Sequence, residues 1–376
     1  MITKKKPFCT VPFSVAFYEG NEDYSGMFRD CCSKIANTQI KSAPGDNFEK
    51  WWNSKQLNDF RDELTTHQWP DACLSCKLQE QERDFSFRIA VNKEDSNNVD
   101  YTWPRAWNIK FGNVCNLGCW TCNEGNSSVI FQHKKQSGIP LLINYDPGQT
   151  FLDHWPQLEK DILKSYKHHK IVTLTLLGGE PLYNKTVIDF LQKLIQLDLA
   201  KRTKLEITTN GTVSPDKLFD QTAVETWNYI CIFVSLDATG KFVEWLRYGA
   251  NWDQIQKNIQ SFKQVANYVE IHSVLSVLNI NYLYELDEYA KSQSLKLNVS
   301  TISRPNFMTL AHWDQPVESL LVRKTYPKYQ IYYNLIGSKS TPGSGKKLIN
   351  YIRSFSKVRK PLSDFAPELA KKMSWL

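Results

Sequence analysis

Three cysteines lie within eight residues of one another in the stretch VCNLGCWTCNEGN, which spans residues 114–126. Cys115, Cys119 and Cys122 are too crowded to form useful cross-links with each other. The nine cysteines of the 376-residue chain are an odd number and fit a disulfide framework poorly. Soft thiolate ligands select iron–sulfur clusters or zinc, so this spacing indicates a metal or cluster site.

The number of ligands bears on which group binds there. A structural zinc site wants four ligands, and no further Cys or His follows this loop until His133. A [4Fe–4S] cube held by three cysteines would instead keep one iron open for a substrate or cofactor. A zinc knuckle completed by a distant residue is the alternative interpretation.

A second motif, LLGGEP at residues 176–181, follows a short β-branched run. Gly178 and Gly179 would let a ligand approach the backbone closely, and Glu180 would add a carboxylate. Taken alone, this motif is also typical of an ordinary strand-to-helix turn with an acid near the helix N-terminus.

Six short runs predict the strands that position these motifs, with helical patterns between most of them. They are residues 107–111, 171–177, 205–209, 229–235, 269–277 and 296–301. Strands alternating with helices predict an α/β fold, here a partial (β/α)6 TIM-like barrel. In such a barrel, ligands bind at the carboxyl ends of the strands, where both motifs lie.

The two motifs together resemble those of the radical S-adenosylmethionine superfamily, in which CxxxCxΦC follows the first strand and GGE follows the second. The resemblance implies that Cys115, Cys119 and Cys122 hold a [4Fe–4S] cluster whose open iron is chelated by S-adenosylmethionine. It further implies an oxidoreductase that cleaves this cofactor to a 5′-deoxyadenosyl radical, which abstracts hydrogen from a peptide or small-molecule substrate. An electron donor such as flavodoxin or ferredoxin would supply electrons to the cluster.

The resemblance extends to other residues that would contact S-adenosylmethionine. The glycines and acid of the GGE motif would meet its methionyl ammonium. The motifs TTNGT (208–212) and SLDATGKFVEWLRYG (235–249) follow the third and fourth strands. The cofactor-binding residues implied in this way are Gly178, Gly179, Glu180, Asn210, Ser235, Asp237 and Arg247.

Several of these residues also have ordinary structural interpretations. Arg247, which the resemblance places on the methionyl carboxylate together with Ser235, could be a surface helix residue paired with Glu244. Asn210 lies in an Asn-Gly pair that is common in turns. The chain also departs from the family pattern, because Thr121 stands where an aromatic residue usually meets adenine. Trp120, one position earlier, could be a core anchor.

The region before the predicted barrel is also rich in cysteine. Spacing alone does not distinguish a structural zinc site from a second cluster in this region. The region resembles the SPASM or twitch auxiliary-cluster module, although that module normally follows the barrel. The resemblance implies an auxiliary [4Fe–4S] cluster on four of five candidate thiols, with Cys31 and Cys32 as alternatives for one position. The candidates are Cys9, Cys31, Cys32, Cys73 and Cys76.

These patterns predict three regions: a Cys-rich module at 1–92, the core barrel at 93–310 and a basic, Tyr-rich extension at 311–376. Residues 323–360 contain ten Lys or Arg and no acid, which leaves −3 for the remainder of the net charge of +7. The stretch STPGSGKK at 340–347 predicts a loop or hinge. Cys231, among Ile and Phe in a predicted strand, is predicted to be a core residue.

The basic extension supports an alternative function. Lys and Arg alternate there with tyrosines, a composition suited to RNA, so an RNA-modifying radical enzyme is the second hypothesis. A solvated basic face would explain the same composition. A non-enzymatic zinc or iron–sulfur adaptor is the third hypothesis. The absence of membrane-length apolar runs and of a signal-like N-terminus predicts a soluble, cytoplasmic protein without membrane contact.

Overall fold

A sheet of eight strands runs through the structure, which is a computed structural model. The structure describes residues 8–19, 27–34, 38–43, 46–66, 69–94, 102–143, 146–220, 222–315, 320–321 and 325–372. The strands in these ranges, in chain order, are β1 (Val15–Glu19), β2 (Met27–Arg29), β3 (Ala106–Lys110), β4 (Gly118–Cys119), β5 (Val172–Leu177), β6 (Thr203–Thr209), β7 (Tyr229–Ser235), β8 (Arg247–Tyr248), β9 (Tyr268–Leu275) and β10 (Lys296–Thr301).

The order of the strands across the large sheet is β10-β9-β7-β6-β5-β3-β1-β2. The strands from β3 to β10 that belong to this sheet are parallel and neighbour one another in chain order. All six predicted strands are present within one to two residues of their predicted ends. The α/β class and the parallel sheet of a partial TIM-like barrel are therefore confirmed.

The described helices, in chain order, lie between and around these strands. They are α1 (Val11–Ser14), α2 (Phe48–Trp52), α3 (Lys55–Thr65), α4 (Leu74–Arg83), α5 (Phe87–Glu94), α6 (Ser128–Ser137), α7 (Pro147–His168), α8 (Lys185–Gln196), α9 (Ala223–Thr226), α10 (Gly240–Leu246), α11 (Trp252–Val265), α12 (Leu283–Ser292), α13 (Gln330–Tyr333), α14 (Ser344–Ser354) and α15 (Pro367–Lys372). Among them, none combines the length and the apolar character needed to cross a membrane.

The two faces of the parallel sheet differ in polarity. On β6, Leu205 and Ile207 are fully buried, whereas Glu206 between them is half-buried. The same alternation holds on β3, where Trp107 and Ile109 are fully buried. Since side chains alternate across a strand, one face is apolar and the other polar. The apolar residues share one continuous hydrophobic core with the inward residues of the helices.

The N-terminal region contributes two strands that the sequence analysis did not predict. β1 pairs in parallel with β3, and β2 pairs antiparallel with β1 at the sheet edge. All five residues of β1 are buried, so its sequence VAFYE lacks the alternation of a strand with one solvated face. The boundaries of the predicted Cys-rich module stay a prediction, but its β1 extends the same sheet as the barrel strands.

Phe48 joins the N-terminal helices to the sheet. It is fully buried, and its ring centroid lies 4.7 Å from that of Trp107 on β3 and 5.2 Å from that of Trp103. Its ring also packs 4.8 Å from Phe28 and 5.5 Å from Trp52, both from the N-terminal region. Aromatic pairs at such separations stabilise beyond the area they bury.

The loop predicted at 340–347 is only partly correct, because α14 begins at Ser344. The carboxylate of Asp314 accepts hydrogen bonds from the backbone N–H groups of Gly343 (2.5 Å) and Gly345 (2.8 Å) and from the Ser344 hydroxyl (2.9 Å). The acid therefore satisfies donors at the start of the helix. This cap lies about thirty residues away in sequence, so local composition could not predict it.

Replacing Phe48 with alanine should destabilise the protein by about 3–5 kcal/mol, the usual cost of emptying a large buried aromatic site. Because Phe48 contacts both the N-terminal helices and β3, tryptophan fluorescence and far-UV circular dichroism should shift together in urea. Phe85→Ala, at a site 59% exposed, is the matched control and should change the free energy of unfolding by less than about 0.5 kcal/mol. A fluorescence shift without a shift in the circular dichroism transition would contradict this coupling.

Candidate active site

The three clustered cysteines occupy the loop between β3 and α6, with Cys119 in the short strand β4. The Sγ atom of Cys115 accepts a hydrogen bond from the backbone N–H of Leu117 at 3.4 Å. Burial raises the pKa of Cys122, and the charges of Cys119 and Cys115 raise it further. The three thiols are therefore within electrostatic reach of one another, and their role as cluster ligands stays a prediction.

Residues at the start of α6 hold this loop in place. The Ser127 hydroxyl donates to the carbonyl of Leu117 at 2.6 Å, and it caps the helix by accepting from Ile130 N–H. The Ser128 hydroxyl donates to the carbonyl of Cys115 and accepts from its N–H. The cluster loop is therefore tied to the first turn of the helix that follows it.

Glu124 and Lys134 form a buried ion pair that fixes the far end of the same loop. Their Oε2 and Nζ atoms lie 2.6 Å apart, and Glu124 is 1% exposed. Burial alone would raise the pKa of Glu124, but hydrogen bonds from Leu142 N–H and from Lys134 lower it below its usual value. The sequence analysis did not identify this pair, because a single Glu and Lys at this spacing carry no specific pattern.

The GGE motif packs directly against the backbone of the cysteine loop. Gly179 has φ +56°, and a Cβ atom there would lie 2.2 Å from the carbonyl oxygen of Val114. Gly178 has φ +78°, and a Cβ there would lie 3.0 Å from Phe111 N. The N–H of Glu180 donates to the same Val114 carbonyl at 2.8 Å. Only glycine permits this approach, which brings the two motifs into contact.

The carboxylate of Glu180 is fully buried and held by three donors. It accepts from the hydroxyl of Thr209 (2.8 Å) and from the N–H groups of Asn210 (2.6 Å) and Leu182 (3.1 Å). Burial raises its pKa to about 7 even though these hydrogen bonds favour the charged form. A buried carboxylate in this state is suited to receive a cationic group, which would favour its ionised form.

Arg247 lies beside the cysteines and is not a surface residue. It pairs with Asp237 at 2.7 Å and is 7% exposed, so the alternative pairing with Glu244 is wrong. β8 pairs antiparallel with β4, which sets Arg247 opposite Cys119 and places its Nη1 atom 4.0 Å from Sγ. Burial disfavours its charge, but Asp237 and Cys119 outweigh this effect and raise its pKa.

The remaining predicted residues border the same region. The side-chain amide of Asn210 donates to Asn116 Oδ1 at 2.9 Å and lies 3.9 Å from Cys115 Sγ, so it ties the loop after β6 to the cysteine loop. Ser235 ends β7 and is half-buried. Asp237 also accepts from Val274 N–H at 2.9 Å. Cys231 is buried within β7, as expected of a core residue.

Trp120 is a core anchor, the alternative that the sequence analysis left open. It is 2% exposed and packs against Trp245 with ring centroids 5.4 Å apart. Tyr351 and Phe355 from the C-terminal region pack against its other sides at 6.0 and 5.5 Å. Thr121 is half-buried and leaves the adenine contact without an assigned aromatic residue.

The side chains at this site fit a thiolate-ligated cluster and S-adenosylmethionine. Burial raises the pKa of Cys115 to about 12 and also raises that of Cys119, where Arg247 opposes the shift. Such thiols ionise readily only when a metal binds them. Among the described residues, no three His, Cys, Asp or Glu side chains converge closely enough for a single metal ion.

Four of the five N-terminal cysteines line one small cavity of about 20 Å³, which has room for about one water molecule. Burial raises the pKa of Cys9 to about 12, and the charges of Cys73 and Cys76 add to the shift. Lys34 and Arg88 bring positive charge to the cavity wall. The lining thiols are Cys9, Cys31, Cys73 and Cys76. Cys32 is exposed and does not line the cavity.

The C-terminal region brings Arg359 to the cysteine loop, which the sequence analysis did not foresee. Its guanidinium carbon lies 3.9 Å from the centroid of the Trp120 ring. The basic segment is thus not uniformly solvated, and some of its predicted RNA-facing rings are packed within the protein. Tyr329 is 4% exposed, and Tyr326 stacks on Tyr284 with centroids 3.7 Å apart. RNA binding stays an untested prediction.

A family model described as the Radical SAM superfamily matches residues 109–290. These residues form a radical SAM domain. The match includes the cysteine loop, the GGE motif and Arg247. The radical SAM domain therefore contains the whole site assembled around β3, β5, β6 and β7.

Solved structures that resemble the radical SAM domain and its flanks do so remotely. They include anSMEcpe with bound AdoMet and the Cp18Cys peptide, at 15% identity over 59% of this chain and 54% of that chain, with a TM-score of 0.35. SuiB of Streptococcus suis bound to S-adenosylmethionine matches at 18% identity over 81% and 59%, with a TM-score of 0.37. TYW1 with a lysine-pyruvate adduct matches at 14% over 69% and 85%, with a TM-score of 0.33.

These scores are too low to support an argument, so the family assignment rests on the family model. The chain spans about half the length of the anSMEcpe chain, 54% in the alignment. No curated protein matches the chain at a significant level.

Gly179→Ala should destabilise the protein far more than Gly138→Ala, although both glycines have positive φ. A Cβ at Gly138 meets nothing within 4 Å. The free energy of unfolding of Gly138→Ala should therefore fall by only about 1–2 kcal/mol, the conformational cost of a non-glycine residue with positive φ. The free energy of unfolding of Gly179→Ala should fall by at least about 2 kcal/mol more, because the new methyl group must displace the Val114 backbone. Urea unfolding of both variants measures the difference. Equal losses would mean that the two motifs do not touch.

Proposed function

We propose that this chain is a radical S-adenosylmethionine enzyme that holds a [4Fe–4S] cluster on Cys115, Cys119 and Cys122. One observation supports the proposal: at the carboxyl edge of one parallel sheet, the thiol of Cys115 lies within electrostatic reach of the buried carboxylate of Glu180, and the guanidinium of Arg247 lies 4.0 Å from the thiol of Cys119. When bound, the cluster supplies the electron that cleaves S-adenosylmethionine to a 5′-deoxyadenosyl radical, which abstracts hydrogen from the substrate.

The protein's own residues bind and orient the cofactor in this proposal. The Nε atom of Arg247 has no hydrogen-bond partner among the described residues, so it can donate to the methionyl carboxylate while Nη2 stays paired with Asp237. Glu180 can accept from the methionyl ammonium. The close packing of Gly179 on Val114 positions Glu180 relative to the cysteine loop, and the pairing of β8 with β4 positions Arg247.

The substrate in this proposal is a peptide or a small molecule that binds over the polar face of the sheet. This face carries half-buried residues that already form hydrogen bonds or stack with one another, such as Thr175 with Glu206 at 2.8 Å and Phe233 with His272 at 4.5 Å. Lys110 on β3 adds a cation paired with Glu19 at 2.6 Å. Acidic and basic side chains near the site suit a substrate that carries hydrogen-bond donors and acceptors.

We further propose that the N-terminal thiols hold an auxiliary [4Fe–4S] cluster. Four thiolates can hold either a zinc ion or a [4Fe–4S] cluster. Cys9, Cys31, Cys73 and Cys76 line one cavity, and the resemblance of this region to an auxiliary-cluster module favours the cluster. With all four ligands filled, such a cluster would transfer electrons or support structure and would not bind substrate. Flavodoxin or ferredoxin is the proposed electron donor.

Anaerobic reconstitution followed by reduction should produce 5′-deoxyadenosine from S-adenosylmethionine, and Cys115→Ala should abolish this product. The reason is that one lost thiolate leaves too few ligands to retain the cluster. Liquid chromatography with mass spectrometry measures the product. Cys32→Ala, at an exposed cysteine outside the cysteine loop, is the matched control and should keep the activity. Equal product from Cys115→Ala and the parent chain would refute the proposed function.

Iron analysis should find about eight iron atoms per reconstituted chain, four for each cluster. Cys31→Ala should lower this number to about four, because Cys31 lines the N-terminal cavity. Cys32→Ala should leave the number unchanged, since its exposed thiol lies outside the cavity. One zinc and about four iron atoms per chain would instead establish a zinc site in the N-terminal region.

A further inference from the structure

Arg359 has an unusual environment for a charged side chain. It is 7% exposed, and its Nε, Nη1 and Nη2 atoms have no hydrogen-bond partner among the described residues. Within the same residues, no carboxylate lies within ion-pair distance of it. A buried guanidinium without a partner is costly, because its five donors lose their hydration without compensation. Such a group is expected to face an anion in the functional state.

The position of Arg359 indicates that this anion is the thiolate of Cys119 or of Cys122. A Cβ atom on Gly118 would lie 3.2 Å from Nη2 of Arg359, so the guanidinium lies against the backbone of the residue before Cys119. Burial lowers the pKa of Arg359 to about 10. Negative charge on Tyr351, Cys119, Tyr248 or Cys122 would oppose this shift, so the thiols of Cys119 and Cys122 are both within electrostatic reach of the guanidinium.

Aromatic rings enclose the remaining sides of the guanidinium. Its carbon lies 3.9 Å from the ring centroid of Trp120, 4.5 Å from that of Phe355 and 5.6 Å from that of Tyr248. Cation–π contacts of this kind hold the charge in place without neutralising it. The rings also exclude water, and a charge acts more strongly on its neighbours when water is excluded.

We propose that Arg359 is a positioning residue that supplies a permanent positive charge to the cluster ligands Cys119 and Cys122 and thereby raises the reduction potential of the cluster. Reduction adds one electron and one negative charge to a centre already ligated by thiolates, and net charge and hydrogen bonds to sulfur set such potentials. A fixed cation beside two of the ligands stabilises the reduced form more than the oxidised form. The inference rests on the proposed function, because it requires a cluster on these cysteines.

The test is a redox titration of the full chain, reconstituted anaerobically and followed by electron paramagnetic resonance. The signal that is missing from Cys115→Ala identifies the cluster in question and separates it from any auxiliary cluster. Arg359→Gln should lower the equilibrium constant for one-electron reduction at least tenfold, which corresponds to a midpoint shift of about 59 mV to more negative potential. Arg359→Lys, which keeps the charge, should retain most of the parent potential.

Arg353→Gln is the matched control, because it removes the same charge from an exposed site in the same segment. Its midpoint potential should equal that of the parent. An unchanged potential in Arg359→Gln with full iron content would overturn the inference and leave the proposed function intact. No cluster signal in the parent chain would instead overturn both. A change in S-adenosylmethionine affinity without a change in potential would show that Arg359 binds the cofactor, which also overturns the inference.

A second variant keeps the test decisive if Arg359→Gln loses its iron. Arg359→Ala can be reconstituted with added guanidinium ion or with urea, which has a similar shape but no charge. Restored iron loading and potential with guanidinium alone would support a charge beside the ligands. Restoration by both compounds, or by neither, would mean that Arg359 only supports the packing of Trp120.

Discussion

The contact between two backbone segments, at Gly179 and Val114, is the constraint on which the site depends. The GGE turn leaves β5 and the cysteine loop leaves β3, and parallel pairing brings the ends of these adjacent strands to the same edge. Their loops can then touch only if one of them lacks a side chain, and Gly179 meets this requirement. The contact brings the thiol of Cys115 within electrostatic reach of the carboxylate of Glu180, so the two motifs belong to one packed unit.

Charge is the second organising factor of this unit. Three thiols, Glu180 and Asp237 would crowd negative charge into a buried volume once the thiols ionise. Arg247 offsets part of that charge through its pair with Asp237 and its approach to Cys119. Arg359 adds a second cation against the backbone of Gly118. Buried charges require compensation of this kind, and here two arginines from distant parts of the chain share it.

The N-terminal and C-terminal regions are both built onto the radical SAM domain. β1 extends the sheet beyond β3, and Phe48 packs between the N-terminal helices and Trp107. At the other end of the chain, Phe355 and Tyr351 cover Trp120 in the cysteine loop. The regions flanking the domain therefore contribute to its core and to the covering of its site. The cavity lined by four thiols lies in the N-terminal part of this arrangement.

The sequence alone determined the six parallel strands, the α/β class and the residues of the two central motifs. Hydrophobic alternation and cysteine spacing are local signals, so they can be recognised without knowledge of the fold. Only the tertiary structure showed that β1 joins the sheet, because a strand buried on both faces has no alternation to read. It also showed that Cys31 lines the N-terminal cavity while Cys32 is exposed, that Arg247 pairs with Asp237, and that Arg359 lies against the cysteine loop. These outcomes depend on contacts between residues far apart in the chain, which no local pattern encodes.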